Sequence, residues 1–274
     1  MDANGKREEI VWLLRHLCQH YPDTLSLLIC HESADQFVRD LLVDGNLNNL
    51  IAKHGGFSGS EEIIDESELI VTCQKLFRRD IFGIDKYLTT WAIKIHEQRV
   101  RSTADKSAII QELIDYLDIV DCYGAIKHAI LLVADELIMN ALYNAPRDQN
   151  GAAKYDKVDR RLGLTLEPQE EAVFRYACDG KHIALSITDP FGSLDRAVIM
   201  RYLERSFGPK LADVEPSKEG GAGLGLYMVF NSITQLTFNI EVGKATEVIA
   251  MFYVRRGARA FRASGRSLNI FVLQ

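Results

Sequence analysis

Nowhere does the sequence run to 18 consecutive apolar residues, so a helix spanning a membrane is not expected. The first residues lack a signal peptide's apolar region and cleavage site, so no signal peptide is expected. Cysteine is sparse and odd in number. The five, Cys18, Cys30, Cys73, Cys122 and Cys178, are scattered, with no Cys-x-x-Cys and no Cys/His ligand spacing. That excludes a disulfide scaffold and the common zinc modules, and reads as reduced thiols in a cytoplasmic protein. An excess of basic charge is missing too. The formal net charge is −6, which argues against a general nucleic-acid binder. No internal repeat or low-complexity tract appears.

What is present is an ordinary globular composition, 47% hydrophobic and 26% charged over 274 residues. That is enough for one large or two small domains. Lys6 to His20 reads as a helix stopped by Pro22. Leu25 to Cys30 reads as a buried strand, Ala34 to Leu42 as a helix and Leu47 to Ala52 as a second strand. Gly55 to Ser60 reads as loop. Glu66 to Arg79 reads as a helix with Leu69, Cys73 and Leu76 inward. This alternation predicts a small α/β unit over residues 1–88. Residues 89–274 form the second expected unit. It opens with a strand over Trp91 to Val100 and a helix over Ala104 to Leu117.

The most informative stretch is Asp135 to Asn144. Ile126, Ile130, Val133, Ala134, Leu137, Ile138, Ala141 and Leu142 recur at helical spacing. Glu136, Asn140 and Asn144 step at i, i+4, i+8 and so share one face. The plain reading of such a row is a solvated helix face. The chemical reading is sharper. A glutamate can polarise a nucleophile's proton, and an asparagine oxygen one turn on can help hold hydrated Mg²⁺ on a nucleotide.

Three further motifs follow. Ile187-Thr188-Asp189-Pro190-Phe191-Gly192 is an apolar strand ending in an acidic turn, where a buried carboxylate needs a donor. Before it, Asp179-Gly180 joins two predicted strands, Glu171 to Cys178 and His182 to Thr188, as a hairpin. Leu194 to Phe207 reads as a helix. Gly220-Gly221-Ala222-Gly223-Leu224-Gly225-Leu226 then leads into a predicted helix to Gln235. Such glycines let backbone amides approach phosphate oxygens at a helix N-terminus. The run is neither a P-loop, since no Lys-Ser/Thr follows, nor a Rossmann turn, since no strand feeds it. Ala245-Thr246-Glu247-Val248-Ile249 opens a closing strand, paired across Gly243-Lys244 with Phe238 to Val242. The tail holds Arg255, Arg256, Arg259, Arg262 and Arg266 before apolar Leu268 to Leu273. It reads as a solvated rim and a strand docking on the sheet.

In this order the four motifs resemble the GHKL ATPase superfamily (gyrase, MutL, histidine kinases, anti-sigma-factor serine kinases) over about residues 93–254. The strand and two helices place the chain nearest the anti-sigma-factor serine kinases. The resemblance implies a two-layer α/β sandwich of the α+β class, the Bergerat-type ATP-binding fold. It implies ATP and Mg²⁺ as cofactors. Glu136 would be the base and Asn140 the Mg²⁺ ligand, with Asn144 beside it. Asp189 would select adenine, supported by Thr246, with Gly192 in the same turn. Gly221, Gly223, Gly225 and Leu226 would cradle the phosphates, and lid residues Arg201, Arg205, Lys210 and Lys218 could reach the γ-phosphate. The usual Asp-x-Gly-x-Gly is altered here, because Gly192 comes third and no second glycine follows.

The activity so implied is phosphoryl transfer to a Ser or Thr of a partner protein. A STAS-type antagonist or a sigma factor is the expected partner, and a homodimer is compatible with the reading. The alternatives are an ATP-binding switch without catalysis and a stand-alone ATPase. His96-Glu97-Gln98-Arg99 lacks the Thr-Pro of a histidine kinase's acceptor motif, so His96 is expected to be a strand side chain. Leu27 to Glu32 resembles the first strand of a response-regulator receiver, but His31 and Glu32 stand where that family has two acids. A degenerate unit without phosphoacceptor chemistry is expected there.

Overall fold

The computed structural model describes residues 7–21, 23–30, 47–55, 62–88, 93–155, 157–204, 229, 232–254 and 265–274. The expected helix over Ala34 to Leu42 and the one over Leu226 to Gln235 lie largely or wholly outside these residues, as do His31 and Glu32. Helix α1 is Arg7–His20. Strands β1, Leu28–Cys30, and β2, Asn49–Ala52, follow. A minor hairpin joins β3, His54–Gly55, to β4, Glu62–Ile63. Next come helix α2, Glu66–Arg78, and a 3-10 turn, Ile84–Tyr87.

Strand β5, His96–Val100, leads to α3, Thr103–Ile119, and α4, Gly124–Tyr143. Strands β6, Ala172–Cys178, and β7, His182–Asp189, form the hairpin expected around Asp179-Gly180. Helix α5 is Arg196–Glu204. Strands β8, Gln235–Glu241, β9, Ala245–Tyr253, and β10, Ser267–Leu273, complete the chain.

One eight-stranded mixed sheet carries the fold, in the order β1-β2-β10-β8-β9-β7-β6-β5. From β5 to β8 every pair is antiparallel. Strand β10 then runs parallel to β8 and antiparallel to β2. The tail strand thus lies within the sheet rather than at its rim. Through it, β1 and β2 belong to the same sheet as the strands beyond residue 88.

Alternation along the strands sorts two faces. Ile183, Leu185 and Ile187 of β7 face α4, with Phe174, Tyr176, Leu236, Phe238, Ala250 and Phe252 from neighbouring strands. Helix α4 lays Ile126, Ile130, Val133, Leu137 and Ile138 on them, all at most 2% exposed. Each such side chain contributes roughly 1.5–3 kcal/mol of burial. Helix α3 packs behind, through Ile109, Leu113 and Leu117 at i, i+4, i+8. Its N-terminus is capped by the Ser102 hydroxyl, which accepts from the Asp105 amide at 3.2 Å. An α+β sandwich is the result.

The other sheet face is covered by α2 and the 3-10 turn. Here one expectation is corrected. The side of α2 turned inward is Glu68, Val71, Thr72 and Lys75, not Leu69, Cys73 and Leu76. The physical reason lies across the interface. The strand residues facing α2 include Thr237, Asn239, Glu247, Ser267 and Asn269, all polar and at most 1% exposed. A polar helix face meets a polar sheet face. Lys75 Nζ donates to Asn239 Oδ1 at 3.3 Å, and Asn239 Nδ2 to Glu247 Oε2 at 2.9 Å. Ser267 Oγ donates to Glu68 Oε2 at 3.0 Å. Asp65 fixes the start of α2. It caps the Ser67 and Glu68 amides and accepts from Tyr253 Oη at 2.7 Å and Lys181 Nζ at 3.0 Å. Burial alone would raise its carboxyl; hydrogen bonds from His182, Ser67, Tyr253 and Lys181 outweigh that and hold it well below the usual range.

Candidate nucleotide site

The polar row of α4 forms as its spacing predicts. Asn140 Nδ2 donates to Glu136 Oε1 at 3.1 Å, and Asn144 Nδ2 donates to Asn140 Oδ1 at 2.6 Å. The three side chains make a ladder of carboxylate and amides, each half-buried. An amide oxygen accepts two hydrogen bonds, so Asn140 Oδ1 keeps one lone pair beyond Asn144. Burial raises the Glu136 carboxyl, opposed by the Asn140 hydrogen bond and the Arg160 charge. A raised pKa moves a carboxylate toward the range where it can take a proton from a hydroxyl.

The helix stops just beyond the row. The amides of Asn144 and Ala145 both return to Asn140 O, at 2.9 and 3.0 Å, and Pro146 follows. Arg147 Nη1 caps the end by donating to Asn144 O at 2.9 Å. Ser193 Oγ reaches Ala145 O at 3.5 Å, which ties the turn after β7 to the end of α4.

Asp189 closes β7 directly opposite Thr246 on β9. Both fall on the sheet face that α4 covers, in line with Ile187, Leu185 and Ile183. Asp189 Oδ1 accepts from the Phe191 amide at 3.0 Å. Burial pushes this carboxyl up to about 7, against the Phe191 amide, the Arg147 charge and the Gly192 amide. Thr246 is 2% exposed, and among the described residues its hydroxyl has no hydrogen-bond partner. A buried hydroxyl without a partner costs about 1–3 kcal/mol, so it marks a place where a ligand or water is expected to bind.

Gly192 has φ +57, a conformation that disfavours side chains. A Cβ there would lie 1.9 Å from Glu241 O and 2.7 Å from Lys244 N. The β8–β9 turn therefore presses directly on the Asp189 turn, and Gly243 N donates back to Gly192 O at 3.2 Å. Replacing Gly192 with Ala should cost about 1–3 kcal/mol of stability, from strained φ and a displaced turn. Chemical denaturation measures it. An unchanged midpoint and slope would show that the turn yields freely.

The structure thus links Glu136, Asn140 and Asn144 in one ladder and sets Asp189 across from Thr246 with Gly192 in the following turn, the two groups tied through Ser193 and Ala145. Gly221, Gly223, Gly225 and Leu226 lie outside the described residues, as do Arg205, Lys210 and Lys218. Arg201 is exposed on α5. Two arginines escaped the sequence reading. Arg147 acts on Asp189, and Arg160 acts on Glu136 while its guanidinium sits 5.6 Å from the Tyr143 ring. Their only signal was position, in the polar stretch just after the α4 motif. His96 is a strand residue, stacked on Tyr176 with centroids 5.0 Å apart.

No protein family's sequence profile matches the chain, and no curated protein matches it. Among solved structures it is similar to a chain of the SiaB-SiaC complex from Pseudomonas aeruginosa. Identity is 13%, covering 68% of this chain and 99% of that one, with a TM-score of 0.37. That likeness is too slight to bear on fold or function. No helix among the described residues is long and apolar enough to cross a membrane.

Proposed function

We propose that the site binds Mg-ATP and that the protein is a GHKL-type regulatory kinase, transferring phosphate to a Ser or Thr of a partner protein. The observation that carries this reading is the pairing of Asp189 with Thr246 on the face under α4, at the end where the Glu136–Asn140–Asn144 ladder closes. Asp189 retains acceptor capacity beyond two backbone amides, which suits an exocyclic amino group. The orphaned Thr246 hydroxyl suits a ring nitrogen or a bridging water. The remaining lone pair of Asn140 Oδ1 suits a hydrated Mg²⁺.

Bound Mg-ATP would supply the γ-phosphoryl group and the charge neutralisation that its transfer needs. The chain's own part is orientation and proton handling. Asn144 fixes the Asn140 amide, Asn140 in turn fixes the Glu136 carboxylate, and Glu136 takes the proton of the attacking hydroxyl. The partner's class, a STAS-type antagonist or a sigma factor, rests on the sequence resemblance.

Isothermal titration tests the nucleotide. Mg-ATP should bind, and Mg-GTP should bind at least about tenfold more weakly, because guanine offers a keto oxygen where Asp189 needs a donor. Equal affinities would defeat the assignment of Asp189. Transfer of label from γ-³²P-ATP to co-purified partners then separates a kinase from a switch. Binding without label on protein or in free phosphate would leave only the non-catalytic switch.

A further inference from the structure

Along its partner β10, strand β2 gives out before β10 does. Asn49 pairs with Asn269, and the Ile270 amide still reaches Asn48 O at 2.9 Å. Past that point no described strand flanks β10 on this side. Strand β10, α1 and the C-terminal end of α2 enclose a cavity of about 440 Å³ there. That is within the range of small-molecule sites and far beyond the space of a single water.

Its walls are mixed, with Leu14 and Leu17 from α1 and Leu76 from α2 giving apolar surface and Asp23 and Asn48 among the polar lining. Lys75, Arg79 and Asn49 are the polar groups at issue. Lys75 is 1% exposed. Among the described residues its one hydrogen bond is the long contact to Asn239 Oδ1, so an ammonium with three donors has capacity to spare. The aromatic rings of Tyr87 and Phe271 lie 4.5 and 5.3 Å away, and the Glu247 charge acts on it as well. Arg79, exposed and held in the left-handed region at φ 58, adds a second cation to the lining. Asn49 is 3% exposed. Its Nδ2 reaches Ser26 O at 3.4 Å, while its Oδ1 has no partner among the described residues.

A buried ammonium and a guanidinium call for an anion. An orphaned amide oxygen calls for a donor, and the leucines between call for apolar bulk. We propose that this cavity binds a small amphipathic carboxylate bearing an N–H or O–H group. The carboxylate would sit on Lys75 and Arg79, the donor on Asn49 Oδ1, and the apolar middle against Leu14, Leu17 and Leu76. Burial pushes Lys75 down to about 7, offset in part by Glu247; a carboxylate beside it would favour the protonated amine. The site is separate from the nucleotide site and lies beside β10, where residues of both sheet faces line it.

Cys18 also lines the cavity and is exposed, so its thiol reports occupancy in the unmodified protein. Indole-3-acetate is the probe, since it combines carboxylate, N–H and apolar ring. It should slow iodoacetamide labelling of Cys18, read by peptide mass spectrometry, and give a saturable heat of binding. Tryptophol, without the carboxylate, should bind at least about tenfold more weakly, and 1-naphthylacetate, without the N–H, several-fold more weakly. Leu17→Trp, which fills the cavity from α1 and leaves the buried polar groups alone, should abolish probe binding and leave Mg-ATP binding unchanged. No protection of Cys18 at millimolar probe would overturn the proposal. So would equal affinity for tryptophol, or unaltered probe binding in the Leu17 variant.

Discussion

Glu136→Gln should leave Mg-ATP binding within a few-fold of wild type and lower phosphoryl transfer by roughly 10²–10⁴-fold, the scale of a lost general base. The substitution is chosen for what it keeps. A glutamine oxygen can still accept from Asn140 Nδ2, so the Glu136–Asn140–Asn144 ladder and the position of Asn140 survive. Only the ability to take a proton is removed. A base acts mainly in the transition state, so kcat should fall and KM should hold. The pH profile adds a second check. Burial raises the Glu136 carboxyl above its ordinary value, so transfer by wild type should fall on acidification at a pH above the usual glutamate range. A variant that transfers phosphate at the wild-type rate would remove Glu136 from the chemistry. One that loses ATP binding as well would make it a binding residue.

The ladder itself was legible because helical geometry turns i, i+4, i+8 spacing into a shared face without help from the rest of the fold. The Asp179-Gly180 hairpin was legible for a similarly local reason, and Gly180 adopts φ +82 as that turn requires. The register that sets Asp189 across from Thr246 was not. It joins residues 57 positions apart, and only the order of motifs suggested it. Least legible was the inner face of α2. Periodicity places apolar residues inward on the assumption that they meet an apolar surface. Here β8 alternates Gln235, Thr237 and Asn239 with Leu236, Phe238 and Ile240, and its polar side is buried rather than solvated. Glu68, Thr72 and Lys75 turn to meet it, while Ile70 and Phe77 stay 54% and 78% exposed. The same inversion leaves Lys75 beside the second cavity. A pattern reading could not reach it, because the partner residues lie more than 150 positions away.

Asp189→Asn should weaken Mg-ATP binding and, at alkaline pH, make the nucleotide-free protein more stable. The binding loss follows from counting acceptors. The carboxylate already receives the Phe191 and Gly192 amides and has room for a further donor. A carboxamide has one oxygen with two lone pairs, so one of the three donors must go unmet, at about 1–3 kcal/mol. The stability gain follows from linkage. Burial lifts the folded-state carboxyl to about 7, whereas an unfolded aspartate titrates near 3.9. Between about pH 4 and pH 7 the folded state therefore binds more protons than the unfolded state, and stability falls as pH rises through that window. Below it the group costs nothing, and above it the whole penalty of a buried charge is present. Asparagine carries no such charge. The variant's melting temperature without nucleotide should then exceed that of wild type at pH 8, and the difference should shrink toward pH 4. Scanning calorimetry of both proteins across this range, with and without Mg-ATP, reads both halves together. A variant that is less stable at every pH would mark Asp189 as a structural cap of the turn. Retained affinity for Mg-ATP would take the adenine contact away from it.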